Sequence, residues 1–196
     1  MKKTILILLV ILPSVLLAEK LPASKAQGIF IAFGVGPRLP VGSFSSSTDL
    51  GYGFNLELSY TDSDYLPFFV FGRIGLEQYP GSQDFYQATD YSNLSTRSIP
   101  AQVFVRYFLS PIFDDIVPLI PVLELAVSYS YIQKLHEFKI GSGRTNFTEE
   151  ISAFGGSAGV GISMFLLEIT ASYNYYKSNQ YFAFNLNVRL PLLINL

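Results

Sequence analysis

The chain has 196 residues, of which 49% are hydrophobic, 15% aromatic and only 14% charged, with a formal net charge of −2. Soluble domains average about 25% charged residues, so the composition excludes a disordered chain, and the balance of charge excludes a polybasic nucleic-acid binder. No cysteine is present, which removes disulfides, thiolate metal sites and a Cys nucleophile, and the single histidine, His136, cannot build a multi-histidine metal centre. A single domain of membrane or secreted type is expected, with no cofactor and no metal.

The first eighteen residues read as a secretory signal. Lys2 and Lys3 form a basic start, Thr4 to Leu17 an apolar stretch interrupted by Pro13 and Ser14, and Ala18 a small residue for cleavage before Glu19. Ala26 is the second choice. The apolar run falls short of the roughly 20 residues that a spanning helix needs. Cleavage after Ala18 would leave a domain of residues 19–196, carrying a net charge of −4, exported across a bacterial inner membrane.

Eight segments then alternate with period two, the strand signature in which successive side chains face opposite ways. Ile29, Ile31, Phe33 and Val35 oppose Phe30, Ala32, Gly34 and Gly36. In GYGFNLELSY, residues 51–60, Tyr52, Phe54, Leu56, Leu58 and Tyr60 oppose Gly51, Gly53, Asn55, Glu57 and Ser59. Phe68, Val70, Ile74 and Leu76 oppose Phe69, Phe71, Arg73, Gly75 and Glu77, so that strand starts apolar on both sides. Ile99 to Tyr107 puts Gln102, Phe104 and Arg106 opposite Ala101, Val103 and Val105; Leu123 to Tyr131 puts Glu124, Ser128 and Ser130 opposite Leu125, Val127 and Tyr129. Phe154, Ala158, Val160 and Ile162 oppose Gly155, Ser157, Gly159, Gly161 and Ser163. Leu167, Ile169, Tyr173 and Tyr175 oppose Glu168, Thr170, Ser172 and Asn174, and Phe182 to Leu190 opposes Ala183, Asn185, Asn187 and Arg189. No helix is predicted after residue 18.

Such strands suit a soluble sandwich with apolar faces inside, or a membrane barrel with apolar faces on lipid. Three features favour the barrel. The polar faces are poor in charge and rich in Gly, Ser and Asn. Aromatics gather at strand ends, with Tyr52, Tyr131, Tyr175 and Phe182 at one end and Tyr60, Phe68 and Tyr107 at the other. Connections alternate, with long loops at about 38–50, 80–97 and 133–150 and shorter turns at 61–67, 110–118 and 165–166. Spanning strands take about 9–11 residues, so a sixteen-stranded diffusion porin does not fit and eight strands do. The expectation is an all-β, eight-stranded antiparallel transmembrane β-barrel with long extracellular loops and short periplasmic turns.

The pieces GYGFNLELSY, SIPAQVFVRYFLS, VPLIPVLELAVSYSY and FGGSAGVGISMF resemble the small outer-membrane β-barrel family, the OmpA/OmpX-like eight-stranded barrels, over about Gln27 to Leu196. The resemblance implies insertion by the outer-membrane assembly machinery and contact with outer-membrane lipids and lipopolysaccharide. Family barrels often end in an aromatic residue; this chain ends in Leu196, after Leu190, Leu192 and Ile194. Pro191, which has no amide donor, is expected beyond the main ladder. A monomer that binds no nucleic acid is expected.

The predicted lumen side carries Glu57, Glu77, Glu124 and Glu168 with Arg73, Arg106 and Arg189. An eight-stranded barrel is just wide enough for its own side chains, and buried charges must pair. With a periplasmic N-terminus, Glu57, Arg106, Glu124, Glu168 and Arg189 fall in the periplasmic half. A structural salt-bridge plug is expected, with Arg106 and Arg189 pairing to Glu57, Glu124 and Glu168, and a proton path or gated pore as the sharper alternative. Gly155, Ser157, Gly159, Gly161 and Ser163 would leave space for the arginines.

No catalytic site is expected. A lipid-modifying enzyme would need His136 near Ser128 or Ser130 and Glu137, yet the serines face the lumen and His136 falls in a predicted loop. A soluble barrel with an apolar ligand cavity is a third reading. Glu149 and Glu150 read as solvated charge or as divalent-ion contacts to lipopolysaccharide, and GGSAGVG lacks the Lys-Ser/Thr of a phosphate loop. The loop PGSQDFYQATDYSNLSTR has a composition suited to surface recognition and equally to a surface without a partner.

Overall fold

The computed structural model describes residues 27–62, 67–112, 118–164 and 166–195. The expected signal segment and Leu196 lie outside the described residues. Eight strands form the architecture: β1 (Gln27–Val41), β2 (Gly51–Asp62), β3 (Phe68–Pro80), β4 (Tyr91–Phe108), β5 (Ile120–Phe138), β6 (Phe147–Met164), β7 (Leu167–Tyr176) and β8 (Gln180–Asn195). Each pairs antiparallel with the next, and β8 returns to pair with β1, closing the barrel. Closure leaves no unpaired sheet edge.

Burial runs opposite to that of a water-soluble domain. Along β2 every second residue is buried, and the alternate set is exposed: Tyr52 is 55% exposed and Leu58 55%, whereas Glu57 is 1% exposed. Arg106, Glu168 and Asn187 are as fully buried as Glu57, while Leu125, Val127 and Phe154 stand outside. A sandwich would bury the second group. The pattern is that of a barrel with polar inside and apolar outside.

Two short helical pieces correct the expectation of none. A 3₁₀ turn covers Gly42–Phe44, and helix α1 covers Gln83–Ala88, with Ser82 accepting a hydrogen bond from the Phe85 amide at 3.2 Å. Six residues are too few for a 3.6-residue period to show in sequence, and the Ser cap is the only local signal.

The strands also run further than the pattern implied. β4 starts at Tyr91, β5 ends at Phe138 and β6 starts at Phe147, so much of the predicted loops 80–97 and 133–150 is paired backbone. What remains between strands is 42–50, 81–90, 139–146 and 177–179 at one end, and 63–67, 109–119 and 165–166 at the other. The connection 109–119 is longer than 139–146. The asymmetry of the molecule therefore lies in strand overhang rather than in loop length. Polar runs such as YSNLSTR concealed it, because the buried inner positions include Thr96 and Ser98 beside Leu94 while the outer ones are Ser95 and Arg97, so both faces read as polar.

Proline explains two irregularities. At Pro191 the β1–β8 register shifts by one residue, between Ile29 and Phe30, and the ladder resumes to Gln27–Asn195. Pro191 thus sits within the paired strand at a β-bulge, and not beyond the ladder, because a bulge relieves the missing donor. Pro100 lies inside β4, where the β3–β4 pairing skips from Ile74–Ala101 to Glu77–Ser98.

Candidate functional site

Phase on the strands brings the seven predicted charged residues to the inner side, and barrel closure sorts them into two groups. Arg106 sits at the centre of the larger one. Its Nη1 lies 2.6 Å from Glu168 Oε1, its Nε donates to Glu124 Oε2 at 3.0 Å, its Nη2 also contacts Glu124, and Glu57 Oε2 is 3.6 Å from Nη2. Arg73 reaches Glu57 at 2.6 Å, Glu124 at 3.3 Å and the Gln102 amide oxygen at 3.3 Å. Arg189 donates to Glu168 at 2.8 Å, and Asn187 to the same carboxylate at 3.4 Å. Three guanidiniums and three carboxylates from β2, β3, β4, β5, β7 and β8 thus form one continuous network.

Aromatic faces hold the cations in place. Phe71 and Phe104 stack at 4.7 Å; Arg73 lies over Phe104 at 4.4 Å and Arg106 over Phe71 at 4.4 Å, with Arg189 5.2 Å from the Phe71 ring. Cation–π attraction gains strength where water is excluded. Towards the short-turn end Phe69 packs on Phe108 at 4.6 Å and on Phe30 at 6.5 Å. These are the inward positions that made β3 apolar on both sides, and they underlie the network with an aromatic floor.

Glu77 belongs to a second group towards the other end, and its cation is Arg38, which the sequence placed at the start of a loop. Arg38 Nε donates to Glu77 Oε1 at 2.8 Å; the hydroxyls of Tyr79 and Tyr181 donate to Glu77 at 2.9 and 3.1 Å. Arg38 Nη1 bonds the carbonyls of Gly36, Pro37 and Phe184 at 3.2, 3.3 and 3.3 Å. Tyr79 and Tyr181 pack edge-on at 5.6 Å, with Phe44 and Tyr176 against them. Arg38 shares the phase of Ala32, Gly34 and Gly36, and four acids against three cations called for a fourth; those two signals could have found it.

Between the groups lies a neutral layer in which Asn55 donates to Asn185 at 3.0 Å, Gln102 to Asn174 at 3.1 Å, and Ser98 meets Ser130 at 2.8 Å. The β6 glycines do not make room for arginines. A Cβ at Gly155 would meet Tyr175 and Tyr176, at Gly159 Ser172 and Ala171, and at Gly161 Ile169 and Thr170, so these positions permit the close approach of β7. Gly53 is the position that faces an arginine: a Cβ there would lie 2.7 Å from Arg38 Nη2.

His136 lies on β5, not in a loop. Its Nδ1 is 3.1 Å from the Tyr91 hydroxyl, its Nε2 3.3 Å from Glu149, and its ring stacks on Phe147 at 4.4 Å. Glu137 instead accepts from Asn93 at 2.8 Å. Ser130 and Ser128 are six and eight residues further down the same strand, about 20 and 26 Å away. The candidate Ser/His/acid set is not assembled.

No model of a known protein family matches the chain, and no curated protein matches its sequence. Solved structures do. Neisserial surface protein A superposes with a TM-score of 0.50 at 15% identity, over 85% of this chain and 99% of that one. The chain has the fold of an eight-stranded outer-membrane β-barrel. The barrel also aligns with Ail, the attachment invasion locus protein of Yersinia pestis, at a TM-score of 0.41 and 15% identity, over 86% of this chain and 100% of that one. The N-terminal β-barrel domain of Pseudomonas aeruginosa OprF aligns at 0.36 and 12% identity, over 86% and 100%. At these identities the likeness is one of fold.

Proposed function

We propose that this chain is a non-enzymatic integral outer-membrane β-barrel, closed to ions by its own side chains, with a structural or surface-recognition role. One observation carries the reading: the closed ring exposes its large apolar side chains and buries Arg38, Arg106 and Arg189 with four glutamates, Arg73 being nearly as covered. An apolar exterior needs a lipid solvent, and a lumen crossed by two paired-charge layers leaves no continuous water path. Tyr52 and Tyr60 mark the two rims on β2, about 26 Å apart along the strand, the scale of the apolar band of such barrels. Export by a cleaved signal over residues 1–18, the assembly machinery as folding partner, lipopolysaccharide contact and a monomeric state belong to the same proposal.

The test is the behaviour of the protein in membranes. The folded barrel should resist alkaline extraction and migrate differently on denaturing gels before and after heating. Recovery of the native protein from the soluble periplasm would overturn the reading. The lipid-modifying alternative has only His136 behind it, and its ring is already engaged by Tyr91, Glu149 and Phe147; a His136-dependent change in lipid A or phospholipid would revive it.

A further inference from the structure

The outer wall is not evenly covered by side chains. Antiparallel pairing places Leu58, Gly72, Val103, Val127 and Gly156 in one outward row across β2 to β6. Glycine stands at two of the five positions, and a Cβ at Gly72 would meet nothing within 4 Å. The next row has Ala101 between Ile74 and Tyr129. The result is an apolar groove in the wall, floored by Gly72 and Ala101 and bounded by Leu58, Ile74, Tyr129 and Phe154. Phe154, 83% exposed, packs edge-on against Tyr129 at 5.1 Å, and the Tyr129 hydroxyl donates to Ser152 at 2.9 Å, so this rim is fixed.

The same strands carry a polar row above the groove: Gln78, Arg97, Gln133 and Glu150, paired in that order. Arg97 is outward and exposed, four residues up β4 from Ala101, about 13 Å along the strand. Among the described residues it makes no ion pair and no side-chain hydrogen bond. The acid of the row, Glu150, accepts from Gln133 at 3.3 Å and stands two strands from Arg97, about 10 Å away. An uncommitted guanidinium, flanked by two amides, thus stands on the loop side of the apolar groove, one outward row (Ile99 and Tyr131) beyond its edge.

We propose that groove and row form one binding site for a phosphate-bearing membrane lipid, with the phosphate on Arg97 and an acyl chain against Gly72 and Ala101. Two features choose this occupant over a second copy of the barrel. A copy would bring a second Arg97 to the row along with its Glu150, whereas a lipid phosphate supplies the missing charge without another cation. The polar row also lies on the loop side of the groove on the same strands, with Ile99 and Tyr131 in the row between, so an acyl chain leaving a phosphate on Arg97 towards the apolar band passes Ile99 and reaches the groove. The inference rests on the membrane reading above.

Native mass spectrometry of the full barrel, released from detergent micelles containing phosphatidylglycerol and diacylglycerol with the same chains, tests it. The unmodified barrel should retain one phosphatidylglycerol in preference to diacylglycerol. Arg97→Gln should cut that preference about fivefold, the effect of one basic residue at a lipid surface. Gly72→Leu should lower retention of both lipids, with Ala101→Leu as the substitute if that variant does not fold by heat-modifiability. Lys177→Gln, which removes an exposed cation from the β7–β8 turn, should change nothing. The site is overturned if Arg97→Gln retains as much phosphatidylglycerol as the unmodified barrel, if Lys177→Gln loses as much, or if filling the groove has no effect. A barrel that folds in lipid without selecting among these lipids overturns the site alone; one that folds in water without lipid overturns the membrane reading as well.

Discussion

Arg106 illustrates how a buried charge is held in this barrel. Its guanidinium faces three carboxylates and stacks on Phe71, so removing it leaves acids buried without their cation. Arg106→Ala should destabilise the barrel by about 3–5 kcal/mol, read by urea unfolding in vesicles through tyrosine emission, since no tryptophan is present. Arg106→Lys should recover only part of the loss, because a point ammonium neither forks across carboxylates nor stacks on the ring as guanidinium does. An alanine variant as stable as the unmodified protein would remove the network from any structural role. The Arg38–Glu77 pair offers the complementary experiment. Arg38→Met alone should cost more than Arg38→Met with Glu77→Gln, since the single variant leaves a charge unpaired and the double does not. Seven of the eight lumen charges were legible from strand phase. Arg38 was not, because the strand was expected to have ended by that residue, and Glu77 was therefore left without an assigned cation.

Among the elements, the overhang of β4, β5 and β6 is where sequence said least. Its buried inner side carries Thr96 and Ser98 as well as Leu94 and Ile132, so no apolar alternation marks it, and its order comes from contacts between distant residues. Lys139 Nζ donates to the carbonyls of Tyr86 and Thr89, at 2.8 Å each, tying the end of α1 to the β5–β6 hairpin. Tyr91 and Phe138 pack beneath at 4.6 Å. Lys139→Met should loosen residues 83–90 without unfolding the barrel, seen as faster proteolytic cutting there in proteoliposomes with heat-modifiability unchanged. Equal cutting rates would assign the order of that segment to the aromatic contacts alone. Close strand approach gives a second test at this scale: Gly159→Val would press on Ser172 and the Ala171 carbonyl and should cost about 1–3 kcal/mol by overpacking.

For the molecule as a whole, the fold was readable because a barrel wall imposes the same two-residue rule on every strand, and residues 51–60 of β2 and 182–190 of β8 obey it without exception in the sequence. Which charges meet was readable only in part. Phase places a side chain inside, but register, bulges and closure decide its height and the wall from which it projects; nothing local to Glu57 says that Arg73 will meet it at 2.6 Å while Arg106, two strands away, stands at 3.6 Å. The same limit hid the aromatic floor of Phe30, Phe69 and Phe108, whose members come from three strands. The structure stacks three layers of side chains along the axis: the aromatic floor, the Arg73–Arg106–Arg189 network with its glutamates, and the Arg38–Glu77 pair under Tyr79 and Tyr181. Planar-bilayer recording of the purified barrel decides whether these layers close the lumen to ions. Near-silence is expected of the unmodified protein, and leak once Arg106→Ala and Arg38→Ala are combined. A large, steady conductance in the unmodified barrel would contradict closure.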